Sequence, residues 1–440
     1  MIVKDEARCL AECLESVHEI ADEIVVADTG SSDKTRAIAE ECGARVFDIP
    51  WEDDFAQARN QSIAAATGGW LLHMDADEVL DPIGAARVRA LVDRDGDGAD
   101  AIEVQLLNYC DDPRAWRWTP VEGGNAFARG HAGYIEVGLL RLFRNGCGFE
   151  YREPVHENIT QSVLEQGGVI RAEAIPIHHY GYDPKETRTG EKAERYLAIA
   201  RKKRGDNPTD TKALHDFAEQ ALACNLTDEA EQACRDALDI EPLHLESTTT
   251  LANILMNRGD LAEARGLLET LDAGGVRPPH VLTALGAIAY REGKLDEAEK
   301  WLEDSTRAAP PFVMSFLYKA RVSDLRGETA LARGHLERTV GLAPAVQEFQ
   351  DRLRAHGLRA EGEELFGAGG MEAAIDLLVE SLRLDPEDPV THNDLGVVLH
   401  GMGHHGKARQ SFERALRLVP GYEEAEANLK ALDVITEPGA

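Results

Sequence analysis

Glu23-Ile24-Val25-Val26-Ala27-Asp28-Thr29-Gly30-Ser31-Ser32-Asp33 decides the architecture of the first half of the chain. Ile24 to Ala27 form an unbroken apolar run, the pattern of a parallel strand buried on both faces. Asp28 closes the run, Thr29 to Asp33 make a turn, and Ser32 or Asp33 is placed to cap a helix over residues 33–42. Working outward, Arg45-Val46-Phe47-Asp48-Ile49 reads as a second strand. Trp70-Leu71-Leu72-His73-Met74 reads as a third and runs into Asp75-Ala76-Asp77. A further helix fits residues 54–66. Strands that alternate with helices predict a parallel sheet covered on both faces, and such sheets bind ligands at the carboxyl ends of their strands. Asp28 and Asp75 both stand at such ends. Either carboxylate alone reads plainly as a turn or a cap. Two of them, each closing an apolar strand of one sheet, point to a site. Asp75 and Asp77 are spaced to share a hard divalent cation that neutralises a diphosphate, and Asp28 is placed to accept hydrogen bonds from a base or ribose.

The chain has 440 residues, too many for one ordinary core, so two or three domains are expected. Its formal net charge of −32 repels phosphate backbones and anionic lipid, so neither nucleic acid nor a membrane surface is an expected partner. A salty or acid-rich host explains the same charge. No apolar run approaches the roughly 18 residues of a membrane span, and Met1-Ile2-Val3-Lys4 shows no signal peptide. The seven cysteines include no CxxC pair, which fits reduced thiols in a soluble cytoplasmic protein.

The second half repeats itself. Ala230, Ala264, Ala298 and Ala332 are spaced by 34 residues, as are Ala374 and Ala408. Four positions after each stands Cys234, Leu268, Leu302, Leu336, Leu378 or Phe412. Twelve positions after all but the second stands Pro242, Pro310, Pro344, Pro386 or Pro420. Six units therefore start near Thr211, Leu245, Pro279, Val313, Ala355 and Pro389, with a phase break over Gln347 to Arg354. Small residues belong where two helices cross closely, the apolar residue four later shares their face, and the proline ends the second helix. These units resemble tetratricopeptide repeats, most closely in Leu395-Gly396, Ala408, Phe412, Ala415 and Pro420. Residues 422–434 are expected to form a capping helix. Such a solenoid offers a concave face to a peptide or protein; a scaffold that props up or dimerises the rest is the alternative.

Four segments of the first half resemble family 2 glycosyltransferases of the GT-A fold. They are Met1-Ile2-Val3-Lys4-Asp5-Glu6, Glu23 to Asp33, Pro50-Trp51-Glu52-Asp53-Asp54-Phe55-Ala56-Gln57-Ala58-Arg59-Asn60 and His73-Met74-Asp75-Ala76-Asp77-Glu78. The subgroup with C-terminal repeats includes the peptide S-glycosyltransferases of glycocin pathways. The resemblance implies a Rossmann-like catalytic domain over residues 1–205 and an all-α repeat domain over residues 206–440. It implies a usually inverting, Mn2+- or Mg2+-dependent transfer from a UDP- or other NDP-sugar, with UDP expected here, to a protein or peptide held by the repeats. Val3, Glu6 and Asp28 would line the nucleoside pocket, and Arg59 and Asn60 would lie near the nucleotide. Asp75 and Asp77 would meet ribose and metal-diphosphate. Members usually carry several apolar residues ahead of the Met-Ile-Val-Lys segment. Here Met1 is the first residue, so the first central strand is expected to be short or trimmed.

A second cluster holds Arg141-Leu142-Phe143-Arg144, Val155-His156-Glu157 and His178-His179-Tyr180-Gly181-Tyr182. An inverting transfer needs a base for the acceptor proton. Glu157 is the first candidate, with His156 to orient it, and Glu136 is the second. His179 is a candidate third metal ligand. His178 and His179 face opposite ways on a strand, so only one enters the site. Arg141 and Arg144 are either diphosphate partners or surface charges. The loop over residues 108–133, with Trp116, Trp118 and several glycines, is a candidate lid or acceptor platform. A saccharide or small-molecule acceptor, and an inactive adaptor, stay open as alternatives.

Overall fold

The computed structural model describes residues 1–115, 117–154, 157–181, 191–307 and 312–436. They fall into two compact units. One comprises Met1–Cys110, Arg117–Pro208 and Glu219–Leu226; the other comprises Asp111–Trp116, Thr209–Ala218 and Thr227–Ala440.

In the first unit, β1 (Ile2–Val3), α1 (Leu10–Val17), β2 (Val25–Asp28), α2 (Thr35–Glu41), β3 (Arg45–Asp48) and α3 (Phe55–Ala65) alternate as expected. β1, β2 and β3 form a parallel sheet in that order. After them come β4 (Trp70–Leu72), β5 (Glu78–Leu80), α4 (Pro82–Asp93), β6 (Ala101–Tyr109), β7 (Trp118–Pro120), β8 (Gly133–Arg144), α5 (Thr160–Glu165), β9 (Ile170–His179) and α6 (Glu191–Asp206). Six of these strands make a second sheet, in the order β4-β8-β6-β9-β5 with β7 on β8, and only β6 and β9 run parallel. The third expected strand therefore does not join the parallel sheet; it pairs antiparallel with β8, through Leu71 opposite Phe143. Pairing is set by both strands together, and the apolar run of β4 finds its partner in β8. An apolar cavity of about 270 Å³ is lined by Met1, Val17, Ile20, Leu71, Val88 and Leu142 among others. The Met1 amine donates to the Val25 carbonyl, and burial depresses its pKa to about 6.

The caps of this unit are local. Asp54 accepts from the Gln57 amide at the start of α3 and Asp81 from the Gly84 amide at the start of α4, where Pro82 opens the first turn. α1 and α4 bury Cys13, Val17, Val88 and Leu91 against Ile102, Leu106, Leu142 and Ile177 of the larger sheet.

The repeats follow the expected starts. α7 (Thr211–Ala223), α8 (Thr227–Ile240), α9 (Leu245–Arg258), α10 (Leu261–Ala273), α11 (Pro279–Arg291), α12 (Leu295–Thr306), α13 (Val313–Leu325) and α14 (Thr329–Leu342) are four helix pairs. α15 (Gln347–Gly367) with α16 (Met371–Leu384), and α17 (Pro389–Gly401) with α18 (His405–Leu418), are the fifth and sixth, and α19 (Glu423–Thr436) caps them. The phase break is helical. It lengthens α15 at its start, so the fifth unit opens at Gln347 rather than Ala355. Glycine is required at the helix crossings: a Cβ on Gly286 would lie 2.7 Å from Leu302, and one on Gly396 would lie 2.5 Å from Phe412. Gly396→Ala is accordingly expected to cost about 1–3 kcal/mol by overpacking. Adding Phe412→Leu should recover part of it, as read by urea unfolding; a fully stable single variant would refute the crossing argument.

Two features of the repeats were not expected. First, α11 and α13 carry no exposed residue and α17 only its last, Gly401, where a helix along an open groove keeps one polar face in water. The backbones of Gly293 and Gly421 meet, and Ala289, Tyr290 and Val322 share a core with Val390, Val419 and Tyr422. The concave face is thus filled over the third to sixth units. Buried ion pairs line it: Arg321 with Asp385 at 2.6 Å and Asp388 at 3.0 Å, and Arg359 with Asp324 at 2.5 Å. Second, at one set of equivalent positions, 34 residues apart, the ion pairs that join successive units alternate in polarity. Glu231 pairs Arg258 at 2.5 Å, Arg265 pairs Glu292 at 2.6 Å, and Glu299 pairs Arg326.

Candidate active site

The acidic loop between β4 and β5 is placed by three backbone ties. The His73 amide donates to the Arg141 carbonyl, the Cys13 thiol to the Asp75 carbonyl, and the Tyr180 amide to the Asp77 carbonyl. These bring the ends of β4, β8 and β9 to one place.

There the side chains sort into two groups. The first is a buried chain of charges, Glu157–Arg59–Asp75–Arg141–Glu78. Arg59 Nε donates to Glu157 Oε1 at 2.5 Å and its Nη1 to Asp75 Oδ1 at 2.8 Å. Arg141 Nη2 donates to Asp75 Oδ2 at 2.9 Å and Glu78 Oε1 at 2.5 Å. Burial works against ionised Asp75, but the two guanidiniums override it and hold its carboxyl well below the usual range. Glu78, with 0% exposure, is pushed up to about 7 by burial, against the pull of Arg141. Burial and the arginines keep His73 neutral.

The second group is Asp77 with His179. Asp77 Oδ2 lies 3.3 Å from His179 Nε2. His179 Nδ1 donates to Asn108 Oδ1 at 2.6 Å, which turns Nε2 toward Asp77. Burial opposes the charged imidazole, yet Asp77 keeps the His179 pKa above its ordinary value. Gly181 has no room for a Cβ against Asp77 Oδ2 and His179 Nε2. His178 points to the other face, bonded to Tyr109 at 2.9 Å and stacked on Phe127 at 4.3 Å. Phe127 belongs to the loop over residues 108–133, so that segment is packed onto β9 here. Trp118 in the same loop is buried and donates to the Cys110 carbonyl.

Several of the expected site residues are engaged within the protein. Arg59 and Arg141 are buried and turned onto carboxylates. Asp75 is committed to them, so Asp75, Asp77 and His179 are not gathered around one point. Among the described residues no group of three His, Cys, Asp or Glu side chains is arranged to hold a metal. Asn60 clamps the Tyr151 backbone, donating to its carbonyl and accepting from its amide, both at 2.8 Å. Asp28 accepts from the Gly30 and Ser31 amides of its own turn. The Val3 carbonyl is taken by Thr29, and the Glu6 side chain accepts from Cys9. Glu136 pairs with Gln105; by strand alternation it faces away from Asn108 and His179. Arg144 pairs Asp95 at the surface. His156, Trp116 and Tyr182 lie outside the described residues. Glu78 was passed over by sequence reasoning.

A mixed α/β unit with an acidic loop closing an apolar strand, followed by paired helices, defines a Rossmann-like transferase domain joined to a helical solenoid. Comparison with known proteins agrees. The profile described as glycosyl transferase family 2 matches residues 1–159, and tetratricopeptide repeat profiles match residues 221–288, 279–304 and 359–423. A TPR repeat-containing protein of Synechococcus elongatus is 31% identical over 444 residues, 96% of this chain and 92% of that one. The SPbeta prophage-derived glycosyltransferase SunS of Bacillus subtilis is 25% identical over 239 residues, 53% of this chain and 50% of SunS. An uncharacterized glycosyltransferase of Rickettsia felis is 40% identical over 80 residues, 18% of this chain and 28% of its own. The chain belongs to the family 2 glycosyltransferases that carry C-terminal tetratricopeptide repeats. Among the described residues no helix is long and apolar enough to cross a membrane.

Proposed function

We propose that the chain moves a sugar from a UDP-sugar to a protein or peptide with inversion at the anomeric carbon, in a cytoplasmic setting. The observation that carries this reading is the bridge through Arg59. It brings Glu157 within one side chain of the Asp75-Ala76-Asp77 loop, although 98 positions separate Arg59 and Glu157 in sequence. A carboxylate then stands beside the diphosphate end of the donor, where an acceptor proton is released.

Glu157 holds Arg59 through Oε1 and is assigned to take the acceptor proton on Oε2 as the nucleophile attacks. Asp77 and His179 fit a divalent cation by donor chemistry, one carboxylate oxygen and one imidazole nitrogen 3.3 Å apart that would turn from each other onto the ion. The bound cation, Mn2+ or Mg2+, supplies charge neutralisation for the departing diphosphate. Asp28 and Val3 shape the floor where the nucleoside sits. The protein acceptor is supported by the repeats, whose fold suits chain-like partners. Their open part is the first two units, where α7 and α9 still expose Lys212, Glu219, Glu246, Asn253 and Asn257.

The test is a panel of UDP-, GDP- and ADP-sugars with Mn2+, read as released nucleotide with and without a polypeptide acceptor. UDP-sugar hydrolysis, rising with polypeptide, is expected. Turnover confined to GDP- or ADP-sugars would overturn the donor assignment, and stimulation only by free saccharides would overturn the acceptor.

A further inference from the structure

The segment that ends in Glu157 is docked on a single stretch of α3. The Phe55 amide donates to the Pro154 carbonyl at 2.9 Å. The Asn60 side chain exchanges two hydrogen bonds of 2.8 Å with the Tyr151 backbone. Arg59 Nε reaches Glu157 at 2.5 Å while its guanidinium lies over the Tyr151 ring, 5.5 Å from its centre. All three ties come from Phe55 to Asn60, and they hold Tyr151, Pro154 and Glu157. Arg59 also spans two carboxylates: its Nη edge takes Asp75 and its Nε takes Glu157. A planar guanidinium holds such a pair at a fixed separation, which a single ammonium on a flexible stem does not. Its side chain is only 9% exposed, so water does not loosen the arrangement.

We infer that Phe55 to Asn60 is the positioning element for Glu157, and that Arg59 is a positioning residue that sets the Glu157 carboxylate against the acidic loop. This departs from a nucleotide-contacting role for Arg59 and Asn60, and it rests on the reading of Glu157 as the base. Base misplacement by an ångström costs about a hundredfold in rate, so the effect belongs in kcat and leaves nucleotide affinity alone.

The experiment uses the full chain and the UDP-sugar it turns over. Arg59→Ala is expected to lower kcat about a hundredfold with the dissociation constant for UDP, by calorimetry, within about threefold of wild type. Added guanidinium should return about a tenth or more of the lost rate, and Arg59→Lys should stay slow, because an ammonium cannot fork. Asn60→Ala, which keeps the Arg59 charge, should show the same split and serves where Arg59→Ala does not fold. In the double variant Arg59→Ala with Glu157→Gln, the loss should be no larger than that of Glu157→Gln alone. UDP affinity falling in step with kcat/KM would overturn the inference in favour of a nucleotide contact. So would full kcat in both Arg59→Ala and Asn60→Ala. Transfer that survives Glu157→Gln would instead overturn the base assignment, whatever Arg59 does.

Discussion

Asp77→Ala is expected to lower sugar transfer by about a hundred- to a thousandfold, the loss seen when one group that stabilises developing charge is removed. Asp77 is the acidic-loop carboxylate not tied to an arginine; its partner is His179, 3.3 Å away. Removing it leaves the buried charge chain intact, so the fold should survive and the loss should appear as a weakened response to Mn2+. Asp75→Ala differs. It strips both Arg59 and Arg141 of a partner, so lower stability should accompany lower activity. Titrating turnover against Mn2+, with thermal unfolding of the same samples, separates the two. An Asp77→Ala protein that works at full rate in EDTA would sink the assignment of a cation to Asp77 and His179.

The second large effect is on stability. Asp324→Ala is expected to cost about 3–5 kcal/mol, the penalty for orphaning a buried charge. Arg359 is 2% exposed and its hydrogen bond goes to Asp324 at 2.5 Å; the next carboxylates, Glu363 and Asp388, stand at 3.8 and 4.0 Å. His356 Nε2, 3.2 Å from Asp324, loses its neighbour too. Replacing Asp324 and Arg359 together with leucine should restore part of the loss, because the orphaned guanidinium is removed with its partner. Urea unfolding followed by circular dichroism measures both. A single variant within about 1 kcal/mol of wild type would mean that water reaches Arg359 and that the concave face is open after all.

The repeats were legible because their signal is local. A small residue, an apolar residue four later and a proline twelve later all act within one helix pair, so the starts at Thr211, Leu245, Pro279, Val313 and Pro389 needed no long-range knowledge. What that signal lacks is the long-range closure of Gly293 on Gly421. Strands β2 and β3 were legible for the same reason, as apolar runs closed by turns. β4 was placed in the wrong sheet because its partner, Leu142 to Arg144, lies some seventy positions downstream, and pairing is not written in either strand alone. In the site, residue type and order single out Asp77, His179 and Glu157; the fold sets Asp77 3.3 Å from His179 and Glu157 against Arg59. They do not single out Glu78, and they mark Arg141 only as a diphosphate partner or surface charge, though a signal exists: a single charge inside Leu139-Leu140-Arg141-Leu142-Phe143 must be buried, and a buried arginine needs a buried acid. Asn60 and Asp28 show the converse, polar residues whose hydrogen bonds go to neighbouring backbone.

The alternating ion pairs between units have a consequence for assembly. Exposed pairs of this kind add little to stability, but repeat proteins fail characteristically by joining the wrong neighbours, within a chain or between chains. If a unit were skipped, the partners would move on by one repeat. Glu231 would then face Glu292, and Arg265 would face Arg326, so like charges would meet at these positions. A ladder of uniform polarity would tolerate that slip. At these positions the alternation makes the order of the units part of the electrostatics, so that a correct stack and a shifted one differ in charge as well as in packing.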